Sequence, residues 1–224
     1  MRSLSFIGHG SPARLVTLVA AFALFATSPA CAEDGFTTIF NGKNLDGWTL
    51  VKKKGPGYIV KDDMLVCPAD GGGNLFTEKT YANFDFRFDV RLSDGGNNGV
   101  GIRSTLDGHP AFDAIEIQVL DNYAKRYANI RPAQFCGSIY DVVPAKQGAL
   151  KKAGEWNTMQ IRADGPHITV TLNDEVIVDA NVDDVTDPAV LKKHPGLRRK
   201  SGHIGFLGHA TMVEFRNIRI KELP

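Results

Sequence analysis

The residues with chemical potential lie on two stretches of alternating sequence and one turn. In Ala114-Ile115-Glu116-Ile117-Gln118-Val119-Leu120-Asp121, side chains of a strand point to opposite faces in turn. Ile115, Ile117 and Val119 therefore share one face, which suits a core, and Glu116 and Gln118 share the other. A carboxylate beside an amide on a sheet surface can hold hydroxyl groups or a metal ion, and Asp121 adds a second carboxylate at the strand end. The same pattern also suits an ordinary wet face. In Gly99-Val100-Gly101-Ile102-Arg103-Ser104, Val100 and Ile102 point one way, and Gly99, Gly101 and Arg103 the other. Glycines on an open face leave room for a ligand, with Arg103 reaching over it; glycine equally marks a bulge. His209, in Gly205-Phe206-Leu207-Gly208-His209-Ala210, stands at a tight connection before the last strand. An imidazole there can be a general base, a metal ligand or simply exposed. Together Glu116, Gln118 and His209 offer a donor set that can take a divalent metal ion, although no recognised metal-ligand spacing is present.

Familiar hydrolase patterns are missing. The chain has no G-x-S-x-G elbow, no H-E-x-x-H, no paired-cysteine metal site and no E-x-D-x-x-E run. Retaining glycosidase chemistry needs two placed carboxylates; Glu116 supplies one, and the pattern identifies no partner. A formal net charge of +1, with no basic stripe interleaved with aromatics, speaks against nucleic acid as a partner. Lys192, Lys193, Arg198, Arg199 and Lys200 read as a solvated helix and loop.

The elements that must position these residues are strands. Phe84-Asp85-Phe86-Arg87-Phe88-Asp89-Val90-Arg91-Leu92 alternates apolar and charged residues throughout, as a strand with one buried and one wet face requires. Further strands are expected at 37–40, 58–60, 64–67, 99–104, 114–120 and 137–142. Others follow at 156–162, 167–172, 176–180, 203–207 and 212–220. Turn signals separate them at Lys61-Asp62-Asp63, Asp94-Gly95-Gly96, Asp164-Gly165-Pro166 and Asn173-Asp174. One helix is expected, opened by Asp187-Pro188 and ended by Pro195-Gly196. Many short strands with such breaks indicate an all-β sandwich or barrel in one domain, residues 33–224.

The first residues read as a signal peptide, 1–32. Arg2 and Arg14 precede an apolar core, Leu15 to Phe25, and small residues end in Ala30-Cys31-Ala32. The core is short for a membrane span, so the expected mature protein starts at Glu33, is periplasmic or secreted and carries no membrane span. Cleavage leaves Cys67 and Cys136, which an oxidising compartment allows to pair or to stay as two buried thiols.

The longer motifs resemble a known family. They are Phe40-Asn41-Gly42-Lys43-Asn44-Leu45-Asp46-Gly47-Trp48, Ile115 to Asn122, Cys136-Gly137-Ser138-Ile139-Tyr140-Asp141-Val142 and Gly154-Glu155-Trp156-Asn157. The ending Gly202-His203-Ile204-Gly205, His209 and Val213-Glu214-Phe215-Arg216-Asn217-Ile218 completes the set. In this order they resemble the 3-keto-disaccharide hydrolase domain. The resemblance implies a concanavalin-like jelly-roll sandwich of two antiparallel sheets, a carbohydrate substrate, and action on glycosides oxidised to a ketone at sugar carbon 3. It places Glu116 and His209 as catalytic residues and Gln118 as a substrate contact. Arg103, Tyr140 and Asp121 join the substrate-binding set from strand face and motif position. Leu207 and Gly208 stand where the family commonly has Gln and Asp. The alternative expectation is a carbohydrate-binding sandwich without catalysis.

Overall fold

The computed structural model describes Met1 and residues 35–224. The expected signal peptide, apart from Met1, lies outside the described residues. Among the described residues thirteen strands form: β1 (Thr37–Thr38), β2 (Trp48–Lys54), β3 (Ile59–Lys61), β4 (Met64–Cys67), β5 (Gly72–Tyr81), β6 (Phe84–Leu92) and β7 (Asn97–Ser104). The rest are β8 (Ile115–Leu120), β9 (Trp156–Asp164), β10 (His167–Leu172), β11 (Glu175–Asn181), β12 (Gly202–His209) and β13 (Val213–Glu222). One sheet runs β11-β10-β9-β6-β13-β4-β3, with β1 also on β13; the other runs β2-β5-β12-β7-β8. Every pairing is antiparallel. The fold is the expected all-β jelly-roll sandwich.

Pleating explains the core. Phe84, Phe86, Phe88, Val90 and Leu92 of β6 are buried, while Arg87, Asp89 and Arg91 between them stay partly open. From the facing sheet, Phe206 of β12 enters this row. Its ring lies 4.1 Å from Phe215, 5.5 Å from Phe88 and 6.2 Å from Phe86, and it stacks on Trp48 at 5.9 Å. Such contacts add to the apolar area already removed from water. Ile115, Ile117 and Val119 of β8 face this core as expected.

Two expected turns are two-residue hairpin loops. Asp62 and Asp63 link β3 to β4, Asn173 and Asp174 link β10 to β11, and all four have positive φ. Two-residue hairpins of this hand need that backbone, and Asn and Asp tolerate it. The expected helix forms as Pro188–Lys193, with the Asp187 carboxylate accepting from the Ala189 N–H at 2.8 Å. A shorter helix, Pro110–Asp113, was not expected.

Three strand expectations need correction. Residues 137–142 do not form a strand, because Gly137 and Asp141 both take left-handed φ and interrupt it. What remains is a short addition to the edge of β8 through Ile117–Ile139. β2 and β5 were not expected at all. β5 opens with Gly72 and Gly73, which resemble a loop; a Cβ at Gly73 would press on the Val51 and Lys52 carbonyls of β2. Glycine there allows the close approach of the two strands at their bulge.

Cys67 and Cys136 are both buried and free. Among the described residues, no helix is long and apolar enough to cross a membrane.

Phe206 joins the two sheets, so Phe206→Ala is expected to cost about 3–5 kcal/mol of stability. Chemical denaturation with a shared m-value measures this; a loss below about 1 kcal/mol would mean that the seam repacks.

Candidate active site

β8 closes one edge of the five-stranded sheet. Its register puts Gly101 opposite Glu116 and Gly99 opposite Gln118. The pleat that sends Ile115 and Ile117 inward therefore sends Glu116 to the other face. That face is not wet: Glu116 is 5% exposed. Its carboxylate lies over Gly99, where any Cβ would collide with Oε1. The glycine on the open face thus makes room for the acid itself.

Burial, and then the nearby negative charge of Asp141, push the Glu116 carboxyl up to about 8. At neutral pH its protonated form predominates. Asp141 is the opposite case. Burial alone would raise its pKa, but hydrogen bonds and charge from Lys193 and Arg131 hold it below its ordinary value. Arg131 Nη2 donates to both its oxygens at 2.6 and 2.8 Å, and Lys193 Nζ donates at 2.7 Å. Two carboxyl groups close together thus differ in protonation because only one has cations.

His209 ends β12 and shares with Glu116 a cleft of about 170 Å³. Lys52 and Lys54 of β2, Asn74 of β5 and His109 line the rest of it, with Leu207 also on its surface. His209 is exposed as a residue, but the protein around its ring partly desolvates it and lowers its pKa, and the charges of Lys54 and His109 lower it further. A neutral imidazole faces the cleft at pH 7. Lys52 Nζ donates to the Gly108 carbonyl at 2.8 Å and ties β2 to the loop that carries His109.

The other expected site residues are placed differently. Tyr140 sits beside Glu116, its N–H donating to the Glu116 carbonyl at 2.9 Å. Its hydroxyl accepts from Gln134 at 3.2 Å, and it does not line the cleft. Gln118 shares a strand face with Glu116 but is buried outside the cleft lining, and its Oε1 has no hydrogen-bond donor.

Arg103 does not reach over the cleft. Between Gly101 and Ser104, β7 has one residue more than the matching stretch of β12, and Arg103 takes φ +53°. This bulge breaks the alternation that was expected to aim it beside Glu116. Its guanidinium instead donates to the Ala82 carbonyl at 3.0 and 2.8 Å and to the Arg199 carbonyl at 3.3 Å.

Asp121 does not line the cleft either. One oxygen accepts from the Gly95 N–H at 2.8 Å and the other from the Tyr123 N–H at 3.1 Å. It is an anchor for loop backbone.

Among the described residues, no three His, Cys, Asp or Glu side chains gather as a metal-binding group. Glu116 and His209 share the cleft, but Gln118 does not complete the set. Among the described residues, the three side chains that could take a divalent ion do not gather as one donor set.

Sequence reasoning missed Lys52, Lys54, Asn74, His109 and Asp141. Asp141 lay inside a recognised motif, and its position one residue after Tyr140 was the available signal. The two lysines and Asn74 came with the unexpected strands.

Glu116→Gln gives a stability test. A carboxyl with a raised folded-state pKa stabilises fully below its unfolded value and loses that contribution as pH rises through the folded one. Between about pH 4.5 and 8, wild type is therefore expected to lose stability against Glu116→Gln, by up to about 1.4 kcal/mol per pH unit. Parallel pH–stability curves for the two proteins would show that the carboxyl is not perturbed. Gly99→Ala is expected to push the Glu116 carboxylate out of place, visible as a flattening of the same pH-dependent difference.

Residues 35–221 match the family described as the 3-keto-alpha-glucoside-1,2-lyase-like domain. A 3-keto-disaccharide hydrolase of Bacteroides thetaiotaomicron is 28% identical, over 85% of this chain and 79% of that protein. A crystal structure from Parabacteroides distasonis, named a glycosyl hydrolase, is 28% identical with a TM-score of 0.70, covering 84% of this chain and 99% of the other. A carbohydrate binding module from Bacillus subtilis shares the fold alone, with a TM-score of 0.52 at 15% identity over 79% of this chain and 96% of the module. The match over nearly the whole sandwich, with the motifs in order, makes this chain a member of the 3-keto-alpha-glucoside-1,2-lyase-like family.

Proposed function

We propose that this protein is an exported enzyme that cleaves glycosides carrying a ketone at C3 of the sugar. One observation carries the reading. A buried carboxyl held in its acid form and a neutral imidazole line the same cleft, Glu116 and His209. The name of the Bacteroides relative supports the substrate class.

The 3-keto group acidifies the hydrogen on C2. His209 takes that proton, and the C2–H electron pair forms the C2–C3 enolate. As the enolate collapses, the ketone returns, a C1–C2 double bond forms, and the C1–oxygen bond breaks. Glu116 gives its proton to the departing oxygen. Water then adds at C1, giving its proton to the Glu116 carboxylate, while protonated His209 returns a proton to C2. Net hydrolysis results and both residues are reset; release before water addition makes the enzyme a lyase. Lys54 brings positive charge to the cleft where enolate charge develops. A single acid–base pair across the ring replaces the two ionised carboxylates of a conventional glycosidase.

A pH profile follows from this division of labour. Turnover is expected to rise through the lowered pKa of His209, below 6.5, and to fall near pH 8 as Glu116 ionises. Glu116→Gln and His209→Ala are each expected to lower kcat on a 3-keto-disaccharide about a hundredfold to ten-thousandfold. Glu116→Gln should also remove the alkaline limb. Solvent deuterium should enter the sugar at C2. Wild-type turnover in both variants would sink this assignment.

A second reading rests on Leu207, an apolar residue on the cleft surface where the family commonly has glutamine. Sugar binding by wild type without turnover would make the protein a carbohydrate-binding module.

Export rests on the arginines and apolar core of residues 2–25. Mass spectrometry of the protein from periplasm or medium is expected to find Glu33 at the N-terminus; a cytosolic chain beginning at Met1 would overturn it.

A further inference from the structure

A second cavity, of about 380 Å³, shares no lining residue with the cleft. It is walled by residues 82–83, 165–166 and 197–200, with Arg103 and Asp183. Arg103 is 2% exposed. Its contacts are the Ala82 and Arg199 carbonyls and, at 3.5 Å, the Asn83 side-chain oxygen. These are neutral acceptors, and they account for four of its five N–H groups. Holding two loop carbonyls requires donors, not a net charge. Among the described residues no carboxylate bonds to this guanidinium, and a buried charge without a counter-ion is costly.

The surroundings add to the imbalance. Arg198, Arg199 and Lys200 also line the cavity, and among the described residues Asp183 is its one lining carboxylate. Asp183 is already bonded to Arg198 at 2.7 Å, and Arg198 spends further N–H groups on the Val182 and Val185 carbonyls. Arg199 places its Nε on the Asp113 carbonyl, which leaves the rest of its fork. The basic run read from sequence as a solvated loop thus closes over a buried arginine.

We propose that this cavity binds an oxyanion, a carboxylate or phosphate group, as a free ion or borne by a molecule of sugar size. The cavity volume lies within the range of small-ligand sites. The anion supplies the charge that the carbonyls around Arg103 cannot, and Arg199 and Lys200 complete its coordination from the rim. Guanidinium groups suit planar or tetrahedral oxyanions because their paired N–H groups bond two oxygens together. The site is independent of the chemistry assigned to the cleft.

The test is thermal unfolding and titration calorimetry on the full protein. Inorganic phosphate is one probe; glucuronate, with glucose as its neutral control, is the other, all at ionic strength matched with sodium chloride. The melting temperature is expected to rise saturably with phosphate, glucuronate or both, because a ligand bound only to the folded state stabilises it. Response to phosphate alone identifies a free-ion site; tighter binding of glucuronate identifies an acidic sugar. Lys200→Glu, a change on the exposed rim, should weaken binding by about tenfold or more. Arg103→Gln keeps a donor for the carbonyls but removes the charge, and where it folds it should abolish binding. Glu116→Gln should bind as wild type does. The proposal fails if neither anion shifts wild type beyond chloride. It also fails if Lys200→Glu binds as wild type, or if Glu116→Gln loses the binding.

Discussion

The sandwich depends on Phe206 entering the aromatic row of the facing sheet. Its contacts with Phe86, Phe88 and Phe215 fix which side of β12 is inward. Once that side is set, pleating sets the rest of the five-stranded sheet. Val100 pairs with Phe206 and faces the core; Gly101, Leu207, Glu116 and His209 fall on the opposite side. The cleft is the far face of a sheet whose near face is held by aromatic packing. A register slip by one residue would put Glu116 in the core and Ile117 in the cleft, and the core would not tolerate it.

Around Glu116, solvation decides chemistry. Glu116 and Asp141 are both buried carboxyl groups. Asp141 is held by Arg131 and Lys193 and stays ionised; Glu116 lies on a glycine and feels the charge of Asp141. Their environments push the two pKa values apart, so that an ionised Asp141 helps to keep Glu116 in its acid form. Desolvation of the ring, and then the charges of Lys54 and His109, disfavour the cationic form of His209.

One extra residue in β7 separates two sites. Without the bulge at Arg103, alternation would carry the guanidinium to the Glu116 face. With it, Arg103 clamps the Ala82 and Arg199 carbonyls and faces a different cavity. Bulges are a common means of re-aiming a side chain next to functional surfaces.

Much of this molecule was legible in its sequence. The alternation of 84–92 and 114–120 determined two strands and their inward residues, and Asp62-Asp63 and Asn173-Asp174 determined two hairpins. Asp187-Pro188 determined a capped helix, because these signals act between neighbours along the chain. Glu116 and His209 were found from a strand face and a turn, and they do share a cleft. What the tertiary structure alone decided is everything that depends on partners distant in sequence. β5 is a strand because β2 and β12 pair with it on either side, despite its opening glycines. Lys52 and Lys54 reach the cleft only through that pairing. Arg103 and Asp121 carry polar groups that look available in sequence, but the Ala82 and Arg199 carbonyls take most of the N–H groups of Arg103, and the Gly95 and Tyr123 amides take both oxygens of Asp121. Local pattern determines which way a side chain starts; the competing donors and acceptors that fold around it decide where its charge is used.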